Sequence, residues 1–162
     1  MPLSIIEGDI TRVHADAIVN AANTGLLPGG GVCGAIFEAA GFDKLCEACL
    51  KIGHCETGDA VITPGFELSK FIIHTPGPIW MDGNHDEESM LRSCYRRSLE
   101  VAIENDCQSI AFPLISAGIY GYPPDDALRV ARESILEFLK THDITVFLVL
   151  FRRPQNSLLG NL

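Results

Sequence analysis

The constraint that most limits this chain is an alternation. From Leu3 to Phe151, short continuously apolar runs take turns with longer segments of helical periodicity. Residues 3–7, 17–20, 59–63, 70–75, 109–112 and 145–151 read as strands bounded by Gly, Pro or polar residues. Between them, Gly29-Gly30-Gly31 opens a helix that runs through Ala40 and is stopped by Gly41, and a second helix covers residues 43–52. Leu91, Tyr95, Ser98/Leu99 and Ala102 recur at helical spacing as far as Asn105. Pro123-Pro124 starts a last helix, with Leu128, Ala131, Ile135 and Phe138/Leu139 as its apolar stripe. Apolar strands joined by helical crossovers imply an α/β fold, a largely parallel sheet covered on both faces. Ligands of such sheets bind beyond the carboxyl ends of the strands.

Composition narrows the function classes. Twelve Lys+Arg against 21 Asp+Glu give a net charge of −9. This argues against coating of nucleic acid or of an anionic membrane, both of which need a basic face. No apolar run approaches the roughly 18 residues of a membrane span. The opening MPLSIIEGD reaches Glu7 and Asp9 too soon for a secretory signal, so a cytoplasmic location is expected. Six cysteines lie in apolar segments of a chain long enough to bury a core, which predicts free thiols. Cys46 and Cys49 form a C-x-x-C without a second pair at zinc spacing, and they fall on an apolar stripe with Leu45 and Leu50. They read as core, and neither a metal nor a cofactor is expected.

Four loops directly after strands carry the chemistry. They are Gly8–Thr11; Asn20–Asn23 with Gly29–Cys33; Pro113–Pro123; and Phe151–Arg153. Glycines let backbone approach a ligand closely, and a helix N-terminus offers unpaired N–H groups and the positive end of a dipole. The glycine run leading into a helix therefore suits a phosphate or pyrophosphate. It matches neither the P-loop nor the dinucleotide fingerprint. Ser116–Gly121 is a second small-residue loop able to clasp a diphosphate from the other side. His74, alone in an apolar strand, reads as structural, Asn20 as a brace bonded to its loop's backbone, and Tyr120 and Tyr122 as surface aromatics.

Taken together, GDIT at 8–11, IVNAAN at 18–23, GGGV at 29–32, AAG at 39–41, IHTPGP at 73–78 and FPLISAGIYGYP at 112–123 resemble the macrodomain, specifically its MacroD-type branch, over about residues 3–151. The resemblance implies a three-layer α/β/α fold with a mixed, mostly parallel sheet, a domain over 1–153 and a short tail over 154–162. It implies binding of ADP-ribose, with ADP-ribosylated protein or O-acetyl-ADP-ribose as partner and hydrolysis of those linkages as activity. By motif, Asp9 accepts from the adenine amine and Ile10 flanks the ring. Asn23 holds a hydroxyl of the distal ribose. Gly29, Gly30, Gly31 and Val32 line that ribose and one side of the diphosphate. Ser116, Ala117, Gly118, Ile119 and Tyr120 cradle the phosphates, and Phe151 stacks on adenine.

Three positions depart from the hydrolytic pattern. Cys33 stands where those members have Asp, Phe37 where they often have His, and Pro28 where they have a further Gly. Asn23 and Cys33 are therefore the candidate catalytic residues, and two expectations follow. One is a hydrolase whose bound water is positioned by Asn23 and by the ligand's own phosphate, or which takes a covalent route through a partial Cys33 thiolate favoured by the helix terminus. The other is a non-catalytic ADP-ribose reader, because a neutral thiol cannot replace the carboxylate.

Overall fold

The computed structural model describes residues 2–151. The expected tail over 154–162, with Arg152 and Arg153 before it, lies outside them. Six strands form one sheet: β1 (Leu3–Gly8), β2 (Ala17–Ala22), β3 (Val61–Pro64), β4 (Phe71–Pro76), β5 (Ser109–Pro113) and β6 (Thr145–Phe151). Their spatial order is β1-β6-β5-β2-β4-β3. All neighbours pair in parallel except the β3 edge, which runs antiparallel to β4. The sheet is thus mixed and mostly parallel. Four helices follow: α1 (Gly31–Ala40), α2 (Phe42–Ile52), α3 (Glu87–Glu104) and α4 (Pro124–Leu139).

Strand periodicity sorts the core into two layers. Successive side chains point to opposite faces, so Ile18, Ile72, Ala111 and Val149 pack with Ile36, Phe37 and Leu45 of α1 and α2. Their neighbours Ala17, Val19, Ile73, Ile110, Phe112 and Leu148 pack with Leu91, Tyr95, Leu99, Leu128, Ala131 and Ile135 of α3 and α4. Helices on both faces complete the α/β/α sandwich. The stripes expected on the third and fourth helices are the buried ones, apart from Leu139, which is half-buried.

The expected stripe of α2 is narrower than its sequence suggests. Leu45 and Cys49 are buried and Cys46 is half-buried, but Leu50 is 71% exposed. One residue past Cys49, Leu50 is rotated by about 100° around the helix and away from the sheet. All six cysteines are free thiols.

Candidate functional site

Three of the loops singled out in the sequence follow the carboxyl ends of parallel strands at one edge of the sheet, and Phe151 ends β6 there. In the β1–β6 ladder Gly8 is opposite Phe151, which brings the Asp9 loop beside the end of β6. Strand β2 lies between β4 and β5, so the glycine-rich segment and the Pro113–Pro123 loop leave adjacent strands.

Asp9 caps the turn Ile10–Arg12. Its Oδ1 accepts the Thr11 N–H at 2.9 Å and the Thr11 hydroxyl at 2.7 Å. Those hydrogen bonds hold its carboxyl below the usual range. The second oxygen, 3.8 Å from the exposed Arg12 guanidinium, keeps acceptor capacity for an amine. Capping and ligand binding are therefore compatible. Ile10 is buried in the core, whereas Phe151 presents a 64% exposed ring at the same edge.

Asn23 is held by its own loop. Its Nδ2 donates to the Leu27 carbonyl at 2.8 Å, and its Oδ1 accepts the Leu27 N–H at 2.9 Å. An amide has two donors and two acceptor lone pairs. One of each remains, in an orientation already fixed.

Beyond it, Gly30 caps α1, whose first N–H groups have no partner within the helix. A Cβ on Gly30 or Gly31 would meet nothing within 4 Å, and the same is true of Gly8 and Gly118. The backbone of all three loops thus borders open space. Gly34 is the opposite case: its Cβ would sit 2.7 Å from the Gly29 carbonyl, so only glycine lets the loop fold back on the helix.

Cys33 sits inward at the start of α1. The thiol is buried with the side chain of Asn20 and the backbone of Gly29 beside it, and burial raises its pKa. Desolvation outweighs the hydrogen bonds that favour the charged form, which works against the partial thiolate expected from the helix terminus. Phe37 is likewise core, its ring 6.0 Å from that of Phe42.

Asn20 also differs from its expected role. Instead of bracing backbone it places Nδ2 3.1 Å from His74 Nδ1, while His74 Nε2 lies 2.9 Å from the Thr63 hydroxyl. Since Nδ2 is a donor, Nδ1 accepts and Nε2 carries the proton. His74 is fully buried, and desolvation lowers its pKa to about 4. It is structural, as expected.

The Pro113–Pro123 loop is bolted from outside. The buried Tyr95 hydroxyl of α3 donates to the Pro113 carbonyl at 3.3 Å and accepts the Ile115 N–H at 3.1 Å. Ser116 takes a left-handed φ of 67°, rare for a non-glycine residue. Its hydroxyl donates to the Pro78 carbonyl at 2.8 Å, so it faces away from the open space. What the loop offers there is backbone. Among the described residues, the N–H groups of Gly118, Ile119 and Tyr120 donate to no other backbone carbonyl. Tyr122, expected at the surface, is instead buried with its ring 4.7 Å from that of Trp80. Neither Asn20–Cys33 nor Pro113–Pro123 contains a Lys or Arg.

A family model of the macro domain matches residues 19–131, from β2 through the glycine segment to α4. The chain belongs to the macro domain family. A macro domain-containing protein of Chlorobaculum tepidum is 57% identical over 135 residues, covering 83% of this chain and 78% of that one. A Salmonella typhimurium protein named O-acetyl-ADP-ribose deacetylase is 51% identical over 142 residues, covering 85% and 79%. The Trypanosoma brucei macrodomain solved in complex with ADP-ribose superposes with a TM-score of 0.84 at 38% identity, covering 93% of this chain and 64% of that one. The GDIT, NAAN–GGGV and FPLISAGIYGYP segments lie at the carboxyl edge of the sheet, whereas AAG at 39–41 ends α1 near Glu67, before β4. Sequence reasoning missed Trp80, whose backbone N–H donates to the Tyr120 carbonyl, and Glu87, which accepts backbone N–H groups of the loop that carries Trp80. The only local hint was the Asp82-Gly83-Asn84 turn followed within a few residues by Glu.

Proposed function

We propose that this macro domain binds ADP-ribose and hydrolyses ADP-ribosyl or O-acetyl-ADP-ribose linkages with a bound water. The observation that carries the reading is the donor set: two loops on adjacent strands that border open space with backbone N–H groups and lack any cationic side chain. Such a site neutralises a diphosphate by oriented dipoles. Asp9 and Phe151 then provide an acceptor and a π-face for adenine, and Asn23 a fixed amide for the distal ribose. The similarity to a protein named as a deacetylase of O-acetyl-ADP-ribose supports turnover.

For an ADP-ribosyl linkage, the water oxygen forms a bond to the anomeric carbon of the distal ribose. The bond from that carbon to the modified group breaks, and the leaving group departs with the electron pair. A ligand phosphate oxygen takes the water's proton. Asn23 and the backbone of Gly29–Val32 orient ribose and water. Cys33 enters no step, since its thiol is neutral and turned to Asn20. That same observation favours the second reading, a reader without turnover.

The test is release of ADP-ribose from a mono-ADP-ribosylated protein. Wild type and Cys33→Ala are expected to release it at similar rates, and Asn23→Ala to lose roughly 10²-fold through misplaced substrate. A wild type that binds without release, while Cys33→Asp gains it, would establish the reader instead.

A further inference from the structure

The loop over residues 77–85 lies outside the candidate cleft, yet one buried carboxylate accepts four of its backbone N–H groups. Glu87, the first residue of α3, is 1% exposed. Its Oε2 accepts the N–H groups of Met81, Asp82 and Gly83 at 3.0, 3.2 and 3.0 Å. Its Oε1 accepts the His85 N–H at 2.7 Å. Burial alone would raise this carboxyl, but the backbone donors of Met81, His85 and Gly83 hold it down to about 2. It is an ionised carboxylate satisfied by backbone. Asp82, His85 and Glu87 bring ligand atoms within 4.8 Å of one another, but a metal there would compete with four N–H donors for Glu87. The cluster is a loop clasp.

The clasped loop grips the diphosphate loop. The Trp80 N–H donates to the Tyr120 carbonyl at 2.8 Å, and the Trp80 ring packs on buried Tyr122. The Ser116 hydroxyl reaches the Pro78 carbonyl, and a Cβ on Gly77 would strike Ser116 Oγ. Residues 77–80 thus restrain residues 116–122 at several points, and of the next five residues Met81, Asp82, Gly83 and His85 are held by Glu87. We propose that Glu87 is a positioning residue for ligand binding: it never touches the ligand but, through Trp80, sets the register of the loop whose N–H groups receive the diphosphate. This rests on the reading of the site as one for ADP-ribose.

The test uses the full chain, whose one tryptophan is Trp80. Wild type, Glu87→Ala and Glu87→Gln are titrated with ADP-ribose and with adenosine, which has the base but no diphosphate. If the released loop is competent a tenth of the time, the Kd for ADP-ribose in Glu87→Ala rises about tenfold. The Kd for adenosine stays at the wild-type value, and Trp80 emission moves to longer wavelength. Glu87→Gln keeps the size and one acceptor oxygen, so it is expected to fall between the two and keeps the test open if the alanine variant does not fold. Equal losses for both ligands, or an unchanged ADP-ribose Kd with unchanged Trp80 emission, overturn the proposal while leaving the ligand assignment intact. Failure of the wild type itself to bind ADP-ribose overturns the ligand assignment, and this proposal with it.

Discussion

At the scale of single residues, the site depends on which way each group points. Asn23 and Asp9 each spend part of their hydrogen-bonding capacity on their own loop, at Leu27 and Thr11, and keep the remainder facing outward. Cys33 and Ser116 point inward, so the polarity of their side chains does not reach a ligand. Gly34 shows how tight this packing is. In a helix, Gly→Ala ordinarily stabilises by about 0.5–1 kcal/mol. Here the added Cβ would lie 2.7 Å from a backbone carbonyl that cannot swing away. Gly34→Ala is therefore expected to lower the melting temperature instead of raising it, and to weaken ADP-ribose binding because the glycine loop must shift. A thermal melt and one titration check both.

At the scale of elements, the β2–β4 pair is held by apolar packing and by the buried chain Asn20–His74–Thr63. That chain requires neutral His74, which makes stability depend on pH. An unfolded histidine titrates near 6.5, while the native one stays neutral down to about 4. Above pH 6.5 both states are neutral and His74 has no effect. Between 6.5 and 4 the unfolded chain takes up a proton that the native fold refuses, so stability falls as pH falls; below 4 the loss is complete. The contribution at pH 5 relative to pH 7 is about 2 kcal/mol. Denaturant unfolding at both values should show that much less pH dependence in His74→Gln than in wild type.

Elements are also where sequence legibility can be judged. The stripes of α3 and α4 and the apolar strands were readable because periodicity reports directly which face is buried. Leu50 misled, since on a short helix one position past the stripe looks like its continuation. The loops pointed to the proposed ligand through glycine placement and motif order. Loop-to-loop contacts such as Trp80–Tyr122, and the inward turn of Asn20 toward His74, join residues 42 and 54 positions apart. No local pattern encodes such pairs. For Glu87 the Asp82-Gly83-Asn84 turn was only a hint, because its partners are backbone N–H groups, which every residue but proline has.

At the scale of the whole molecule, a chain of net charge −9 is assigned a doubly charged anion as ligand. Net charge counts side chains, whereas the assigned donors are peptide N–H groups and a helix terminus. The acidic surface therefore excludes a way of binding and not a class of ligand. The same reasoning fixes the most direct test, calorimetric titration with ADP-ribose at 50 and 200 mM salt. The account predicts saturable binding of one ADP-ribose per chain, with a Kd that changes by less than about threefold. A site built on six or more Lys/Arg contacts to phosphates would instead lose roughly 10³-fold or more. Absence of saturable binding, or a salt dependence of that size, would contradict it.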